Sequence, residues 1–245
     1  MPGRLILVAT PIGNLDDLSP RAAKALAAAD LVACEDTRRT GKLLAHLGIR
    51  KPLVSLHEHN ERRRIPELLR RLGEGATIAV ASDAGTPLLS DPGFPLVRAA
   101  IAAGHRIEPI PGPSGLLAAL VVSGLPPLPF TFAGFPPPRS GKRRGFYRRF
   151  GALGHTVVVY ESPHRLVASL DDAVAELGPE RPAAVARELT KLHEEVVRGP
   201  LAELAAWARG RKLLGEFVVV LGAVDEEETR EEKLPDSEPD SLPDR

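Results

Sequence analysis

The feature that most constrains the fold is the regular alternation of short apolar strands and helical stretches over the first half of the chain. The segments Arg4–Ala9 and Ile78–Ala81 have the length and composition of buried strands, and each leads through a polar turn towards a helix. Strand and helix alternate five times with short connections. This pattern is typical of a mostly parallel sheet covered by helices on both faces, so the sequence predicts an α/β fold.

A proline-rich segment, Ser123–Pro138, interrupts the alternation and marks a domain boundary by its composition. Strand and helix patterns resume after it. We therefore expect an N-terminal α/β domain over 1–123 and a C-terminal α/β domain over 124–224. A ligand-binding cleft is expected between them, because domain interfaces are a common place for such sites.

Charge is balanced over the whole chain, with 32 basic and 32 acidic residues, but not along it. The segment 225–245 has ten acidic and three basic residues and very few apolar ones, so it is predicted to be a disordered acidic tail. The remainder carries an excess of about seven positive charges, which is compatible with a polyanionic partner.

Cys34 is the only cysteine, which excludes an intramolecular disulfide and favours a reducing compartment. No apolar run approaches the roughly 20 residues of a membrane span. A soluble, cytoplasmic protein is expected.

The loop that follows the strand Ile78–Ala81, with the sequence SDAGTPLLSDPGFP, is the strongest candidate binding element. Gly85 and Gly93 permit close backbone approach, and three prolines stiffen the remainder. Short polar side chains lie between them. The alternative is an ordinary connection in which Asp and Ser satisfy local backbone donors. Loops at the carboxyl ends of parallel strands are where α/β proteins bind ligands, so the binding interpretation is favoured.

Several common site motifs are missing. Gly41 and Lys42 lack the preceding glycine of a phosphate-binding GxxxxGK[ST] loop, and the first strand leads into ATPIGN instead of GxGxxG. There is no GxSxG nucleophile motif. His57 and His59 have no third ligand nearby in the sequence, so no metal site is predicted.

The polar clusters at the strand ends carry a family resemblance. In chain order they read ATPIGNLDD, EDTRRTGKLL, HEHNE, SDAGTPLLSDPG, PGPSG, ESPHR and RELTK, with GEFVVVLG following. Together they resemble the tetrapyrrole methylase superfamily, and within it the branch that 2′-O-methylates a cytidine in the decoding region of 16S rRNA. The match runs from about Arg4 to Gly222. One departure is Gly115, where the family more often has alanine.

The resemblance implies two α/β domains of the class III methyltransferase type and an S-adenosyl-L-methionine donor in the cleft between them. It also implies a homodimer, the small ribosomal subunit as partner, and no metal. Carried over by motif, the implied cofactor-binding residues are Pro11, Gly13, Asp83, Gly85, Thr86, Pro87, Ser90, Pro111, Ser114, Tyr160 and Glu188. Two alternatives stay open at this point, a methylase of a corrin or porphyrin ring and an inactive ribosome-assembly module.

A ribose hydroxyl is a poor nucleophile until its proton leaves, so a nearby base is expected. Glu35 or Asp36 is our candidate, at the end of a predicted strand. The alternative is that these carboxylates pair with Arg38 and Arg39 to hold the loop.

Contact with RNA requires positive charge. The candidate RNA-binding residues are Arg38, Arg39, His57, Asn60, Arg62, Arg63, Lys142, Arg143 and Arg144. In the basic run Ser140–Arg149, Phe146 and Tyr147 are candidates for stacking on bases. The alternative for this run is an ordinary amphipathic helix whose core face includes Phe146 and Phe150.

Overall fold

The computed structural model describes residues 3–223. The predicted acidic tail, 225–245, lies outside the described residues. The described chain forms two α/β halves, each built on a five-stranded sheet. This confirms the predicted fold class.

The first half is the predicted alternation of strands and helices. Its elements are β1 (Arg4–Val8), α1 (Pro20–Ala28), β2 (Leu31–Cys34), α2 (Thr37–His46), β3 (Leu53–Ser55), α3 (Glu61–Gly73), β4 (Thr77–Ala81), α4 (Phe94–Ala102), β5 (Arg106–Ile110) and α5 (Gly115–Val122). The strands lie in the order β3-β2-β4-β1-β5, and all pairs are parallel. The carboxyl ends of β1, β2 and β4 are therefore side by side at the centre of the sheet.

Both faces of this sheet are buried. Along β1, Leu5 packs into one apolar cluster with α3 and α4, and Ile6 packs into another with α1 and α2. This alternation explains why the strands read as continuous apolar runs, since neither set of side chains faces solvent.

The second half has a different sheet. Its elements are β6 (Phe130–Phe132), α6 (Ser140–Gly151), β7 (Thr156–Glu161), α7 (Leu166–Leu177), β8 (Pro182–Arg187), β9 (Glu195–Pro200), α8 (Leu201–Arg209) and β10 (Phe217–Leu221). The strand order is β6-β7-β10-β8-β9, and only β6 and β7 are parallel. Strand β9 was not predicted, because it is an edge strand with only Val196 and Val197 as apolar residues among polar neighbours.

Helix α5 connects the two halves structurally. It lies at the end of the first half of the sequence, yet Leu116, Ala119 and Leu120 pack against the second sheet beside Val158 and Val218. The opposite face of that sheet is covered by α6, α7 and α8. The N-terminus of α5 is thereby fixed between the two sheets.

No helix within 3–223 is both long enough and apolar enough to span a bilayer.

Candidate active site

A cavity of about 590 Å³ lies between the two halves, at the carboxyl ends of β1, β2 and β4. This volume is within the range of about 300–1,000 Å³ that is usual for small-molecule sites. The first half contributes Ile12, Glu35, Asp36, Arg39, Asp83, Ala84, Leu89, Ser90, Asp91 and Gly115 to its wall. The second half contributes Phe135, Tyr160, Glu161, Ser162, Pro163, Ala186, Leu189, Gly215, Glu216, Phe217 and Val218.

The loop after β4 is held in a fixed shape. Gly85 and Thr10 exchange two backbone hydrogen bonds of 2.9 and 3.0 Å, which ties the loop to the end of β1. Gly85 has a φ of 85°, a conformation that favours glycine. Leu88 and Ser90 also have positive φ values, 72° and 68°. Non-glycine residues in this region store strain, which proteins tend to keep at functional sites.

The loop after β4 forms local hydrogen bonds and also lines the cavity, so the two interpretations of its sequence are compatible. The Ser82 hydroxyl bonds with the Asp91 carboxylate and the Ala84 carbonyl, as expected for an ordinary connection. The same loop also places Asp83, Ser90 and Asp91 in the cavity wall. The internal hydrogen bonds therefore shape a wall of the cavity.

Carboxylates cluster at the first-half side of the cavity. Partial burial raises the pKa of Glu35, and the nearby carboxylates of Asp83 and Asp91 raise it further. Burial also raises the pKa of Asp91, against the hydrogen bond from Ser82. Glu35 forms no ion pair among the described residues. A raised pKa makes the Glu35 carboxylate a stronger base than an ordinary glutamate, which is the direction that general-base catalysis requires.

Asp36 stabilises the start of α2. Its side chain caps the N-terminus of α2, accepting a hydrogen bond of 2.8 Å from the Arg38 backbone N–H, and it pairs with the Arg38 guanidinium at 3.2 Å. The hydrogen bond from Arg38 lowers the pKa of Asp36. The sequence left open whether these carboxylates pair with arginines to hold the loop. Asp36 does so with Arg38, whereas Glu35 has no such pair within residues 3–223.

Of the predicted cofactor residues, the cavity wall includes Asp83, Ser90 and Tyr160. The others lie outside it, and some of them hold the neighbouring loops in place: Pro11, Gly13, Gly85, Thr86, Pro87, Pro111, Ser114 and Glu188. For example, the Thr86 hydroxyl donates to the Pro113 carbonyl at 3.3 Å. A side chain at Gly13 would overlap Lys191, which bridges the carboxylates of Glu188 and Glu216.

Tyr160 joins the two halves at the cavity. Its ring lies 4.9 Å from the Phe132 ring and 5.5 Å from the Phe135 ring, measured between centroids. Burial raises its pKa, against a backbone hydrogen bond with Leu116. A Cβ at Gly115 would lie 3.7 Å from the Tyr160 hydroxyl, an ordinary contact. The alanine more common in the family would therefore fit at position 115.

The candidate RNA contacts from the first half divide into two groups. Arg39 lies in the cavity wall, and Arg38, Arg62 and Arg63 are exposed at the starts of α2 and α3. His57 is partly buried. Asn60 is 9% exposed, and its side chain accepts a hydrogen bond from the His57 backbone N–H and donates to the Ser55 carbonyl. A direct RNA contact by Asn60 is therefore contradicted, because its amide is buried and committed to the turn before α3.

The basic residues of α6 differ most from their predicted role in RNA binding. Arg143 is 4% exposed and lies 2.7 Å from Asp172 of α7. Arg144 and Arg148 both pair with Glu176, also of α7, at 2.6 and 2.8 Å. The structure thus contradicts an RNA contact by Arg143 and places Arg144 in an ion pair, because α7 presents the carboxylates of Asp172 and Glu176 to α6. Lys142 is exposed and forms no ion pair among residues 3–223.

The aromatic residues of α6 belong to the core. Tyr147 is 1% exposed, and its hydroxyl lies 2.6 Å from the Ser169 hydroxyl. Phe146 and Phe150 pack against the same apolar cluster. The amphipathic-helix interpretation is correct, and base stacking by Tyr147 is excluded by its burial.

Several cavity residues were missed from the sequence, notably Phe135, Glu161, Glu216 and the strand residues Ala186 and Val218. ESPHR and GEFVVVLG signalled two of these strand ends, but not which side chains face the cavity. In the described residues, no three His, Cys, Asp or Glu side chains are arranged to hold a metal ion.

Comparison with known proteins identifies the family. The sequence profile of the tetrapyrrole (corrin/porphyrin) methylases matches residues 4–205. Ribosomal RNA small subunit methyltransferase I of Mycobacterium tuberculosis strain CDC 1551 / Oshkosh is 53% identical over 221 residues, which are 89% of this chain and 77% of that protein. The chain belongs to the ribosomal RNA small subunit methyltransferase I family, a group within the tetrapyrrole methylases. The Escherichia coli O157:H7 member of this methyltransferase family is 46% identical over 235 residues, covering 95% of this chain and 81% of that protein.

Solved structures show the same fold at low sequence identity. A diphthine synthase structure has a TM-score of 0.70 at 16% identity, covering 90% of each chain. Uroporphyrin-III C-methyltransferase from Thermus thermophilus, solved in complex with S-adenyl homocysteine, has a TM-score of 0.64 at 23% identity, covering 90% of this chain and 97% of that one. The fold with two five-stranded sheets is therefore shared with both of these structures.

Proposed function

We propose that this methyltransferase transfers the methyl group of S-adenosyl-L-methionine to the ribose 2′-hydroxyl of a cytidine in the decoding region of 16S rRNA, in the cytoplasm. Its close relatives named as small-subunit rRNA methyltransferases support the substrate class. The observation that carries the proposal is the cavity between the halves, which joins a rigid strand-end loop to a cluster of carboxylates.

The cavity fits the charge and shape of this donor. The donor carries a sulfonium and an ammonium group beside its carboxylate, and three carboxylates of the wall, Glu35, Asp83 and Asp91, form no ion pair among the described residues. The other acidic residues of the wall, Asp36, Glu161 and Glu216, each pair with a cation. The apolar side chains of Leu189 and Val218 line the same cavity and suit an adenine ring. Asp83, Ser90 and Tyr160 are the residues we expect to hold the donor.

The bound donor supplies an activated methyl group, and the chain supplies position and proton transfer. Holding the reacting groups in line in a closed cleft is worth several kcal/mol. Glu35 is the proposed base that takes the proton of the ribose hydroxyl, because its pKa is raised and its carboxylate is not committed to an ion pair. Asp36 then has the role of fixing the start of α2 beside it.

The proposal is tested with purified small subunits from cells that lack the corresponding modification. We expect transfer of labelled methyl groups to 16S rRNA, and one new 2′-O-methylcytidine by nucleoside mass spectrometry. Uroporphyrinogen III serves as the competing acceptor. Methylation of uroporphyrinogen without rRNA methylation would overturn the proposed substrate, and absence of donor binding by calorimetry would overturn the proposed cofactor.

We further propose that the protein acts as a homodimer. Leu117 and Val121 of α5 are 49% and 72% exposed, and Leu128 in the following segment is 78% exposed. Leu117 and Val121 are four residues apart and share one face of α5, and such an exposed apolar face favours an interface with a second copy. Sedimentation at micromolar concentration should show a dimer that Val121→Asp weakens, with Ile101→Asp, an exposed residue of α4, as matched control. A wild-type monomer would contradict the proposal.

A further inference from the structure

Phe135 is an aromatic side chain that the protein leaves open in the cavity. It follows β6 and is 50% exposed, whereas the other aromatic residues of the wall, Tyr160 and Phe217, are partly or fully buried. The Phe135 ring lies against the Tyr160 ring, at 5.5 Å between centroids and 56° between planes. Phe135 thus contacts Tyr160 and is half exposed in the cavity wall.

The segment before Phe135 lies beside the loop after β4 of the first half. Gly134, the preceding residue, has a φ of 70°, and a Cβ there would lie 3.5 Å from the Ser90 hydroxyl of the loop after β4. Ser90 is adjacent to Asp91, one of the carboxylates that raise the pKa of Glu35. The loop after β4 therefore links the aromatic wall to the proposed base.

A target ribose that enters the cavity must bring its nucleotide out of the surrounding RNA helix. In a duplex the 2′-hydroxyl lies on the surface of the shallow groove, whereas Glu35, itself exposed, lies in the wall of a cavity between the two halves. Enzymes that face this problem extrude the nucleotide, at a cost of a few kcal/mol for unstacking. An aromatic surface in the pocket replaces part of the stacking that the base loses.

The exposure of Phe135 indicates which ligand it serves. A small-molecule ligand in a cleft commonly has 70–90% or more of its surface buried. Half-exposed Phe135 lies where a ligand is still reachable from solvent, as the base of a nucleotide attached to a long RNA must be. The less exposed side chains of Tyr160, Leu189 and Val218 suit the enclosed donor better.

We propose that Phe135 is the stacking surface for the extruded target base. This inference rests on the proposed function and identifies a substrate-binding residue within it. Stacking on an aromatic side chain tolerates any base, so Phe135 contributes affinity and orientation, and base identity is selected elsewhere.

The first test compares four variants on small subunits lacking the modification. Phe135→Ala and Phe135→Leu should reduce kcat/KM for the subunit by roughly 5- to 150-fold, and Phe135→Tyr should retain it. Phe94→Ala, also an exposed phenylalanine but outside the cavity wall, is the control and should not change kcat/KM. Donor affinity, measured by calorimetry, should be the same in all variants. A loss of donor affinity in Phe135→Leu, or wild-type kcat/KM in Phe135→Ala, would overturn the inference.

The second test identifies the contact directly. Subunits reconstituted with ligated 16S rRNA that carries an abasic ribose at the target position keep the 2′-hydroxyl and lack the base. On this substrate the kcat/KM values of the wild type and Phe135→Leu should be equal, because there is no base for the ring to stack on. Comparing both enzymes on both substrates forms a double-mutant cycle that isolates the contact between ring and base. An unchanged difference would show that Phe135 contacts something other than the target base. Failure of the proposed function gives a different result from failure of this inference, because the wild type itself would then not methylate the unmodified subunit.

Discussion

Replacing Glu35 by glutamine should lower the single-turnover rate of methyl transfer by about 10²- to 10⁴-fold, the usual contribution of a general base. Glutamine keeps the size and polarity of the side chain but cannot accept the ribose proton. Donor affinity should change little, because the other carboxylates of the wall remain in place. The measurement is a rapid-quench time course with enzyme in excess over small subunits.

The pH dependence provides an independent check of the same role. Partial burial and the neighbouring carboxylates raise the pKa of Glu35, so the protonated, inactive form persists to a higher pH than for an ordinary glutamate. The wild-type rate should therefore rise with pH through this raised pKa and level off above it. In Glu35→Gln this rise should be absent.

Asp36→Asn is the matched control for Glu35→Gln. Asparagine is as good an N-cap as aspartate, so the start of α2 should be preserved while the charge is lost. The Arg38 pair lies at the surface, where such pairs contribute little. We expect a rate near that of the wild type. A large loss in Asp36→Asn together with a near-normal rate in Glu35→Gln would exchange the roles of the two residues.

The sequence predicted the first half of the fold well for a physical reason. The central strands β1, β2 and β4 are buried on both faces, so they form nearly continuous apolar runs ended by polar turns, and their boundaries are visible in the sequence. In the second half, β9 has one side open at the sheet edge, and its sequence has only two adjacent valines between Glu195 and Arg198, which gives a weak signal. Strand direction was also not evident there, because the sequence of a strand does not specify whether its neighbours are parallel.

The candidate site was predictable only in part for a related reason. Polar clusters located the loops at the carboxyl ends of β1, β2 and β4, because parallel strands bring their ends to one edge. Phe135 and Glu216 reach the same cavity from the second sheet, whose packing on α5 is a long-range arrangement that local patterns do not encode. Arg143 looked like an RNA contact for the same reason, since its partner Asp172 is 29 residues away in the sequence.

The ion pair of Arg143 and Asp172 leads to the second large expected effect, on stability. The Arg143 guanidinium lies 2.7 Å from the Asp172 carboxylate and also donates to the carbonyls of Pro138 and Ala168 at 3.1 and 3.3 Å. The two side chains are only 5% and 14% exposed. Arg143→Ala would leave a poorly solvated carboxylate and would remove the side-chain donor to the Pro138 and Ala168 carbonyls.

We therefore expect Arg143→Ala to lower the free energy of unfolding by about 3–5 kcal/mol, the usual cost of removing one partner of a buried ion pair. Thermal unfolding should show a decrease of roughly 10 °C for a chain of this size. Lys142→Ala, at the adjacent exposed position, should stay within about 0.5 kcal/mol of the wild type. At a temperature where both variants are folded, Arg143→Ala should bind small subunits with wild-type affinity, because the guanidinium does not face solvent. A stable Arg143→Ala variant with weakened subunit binding would restore this arginine as an RNA contact and contradict its assignment to the packing of α6 on α7.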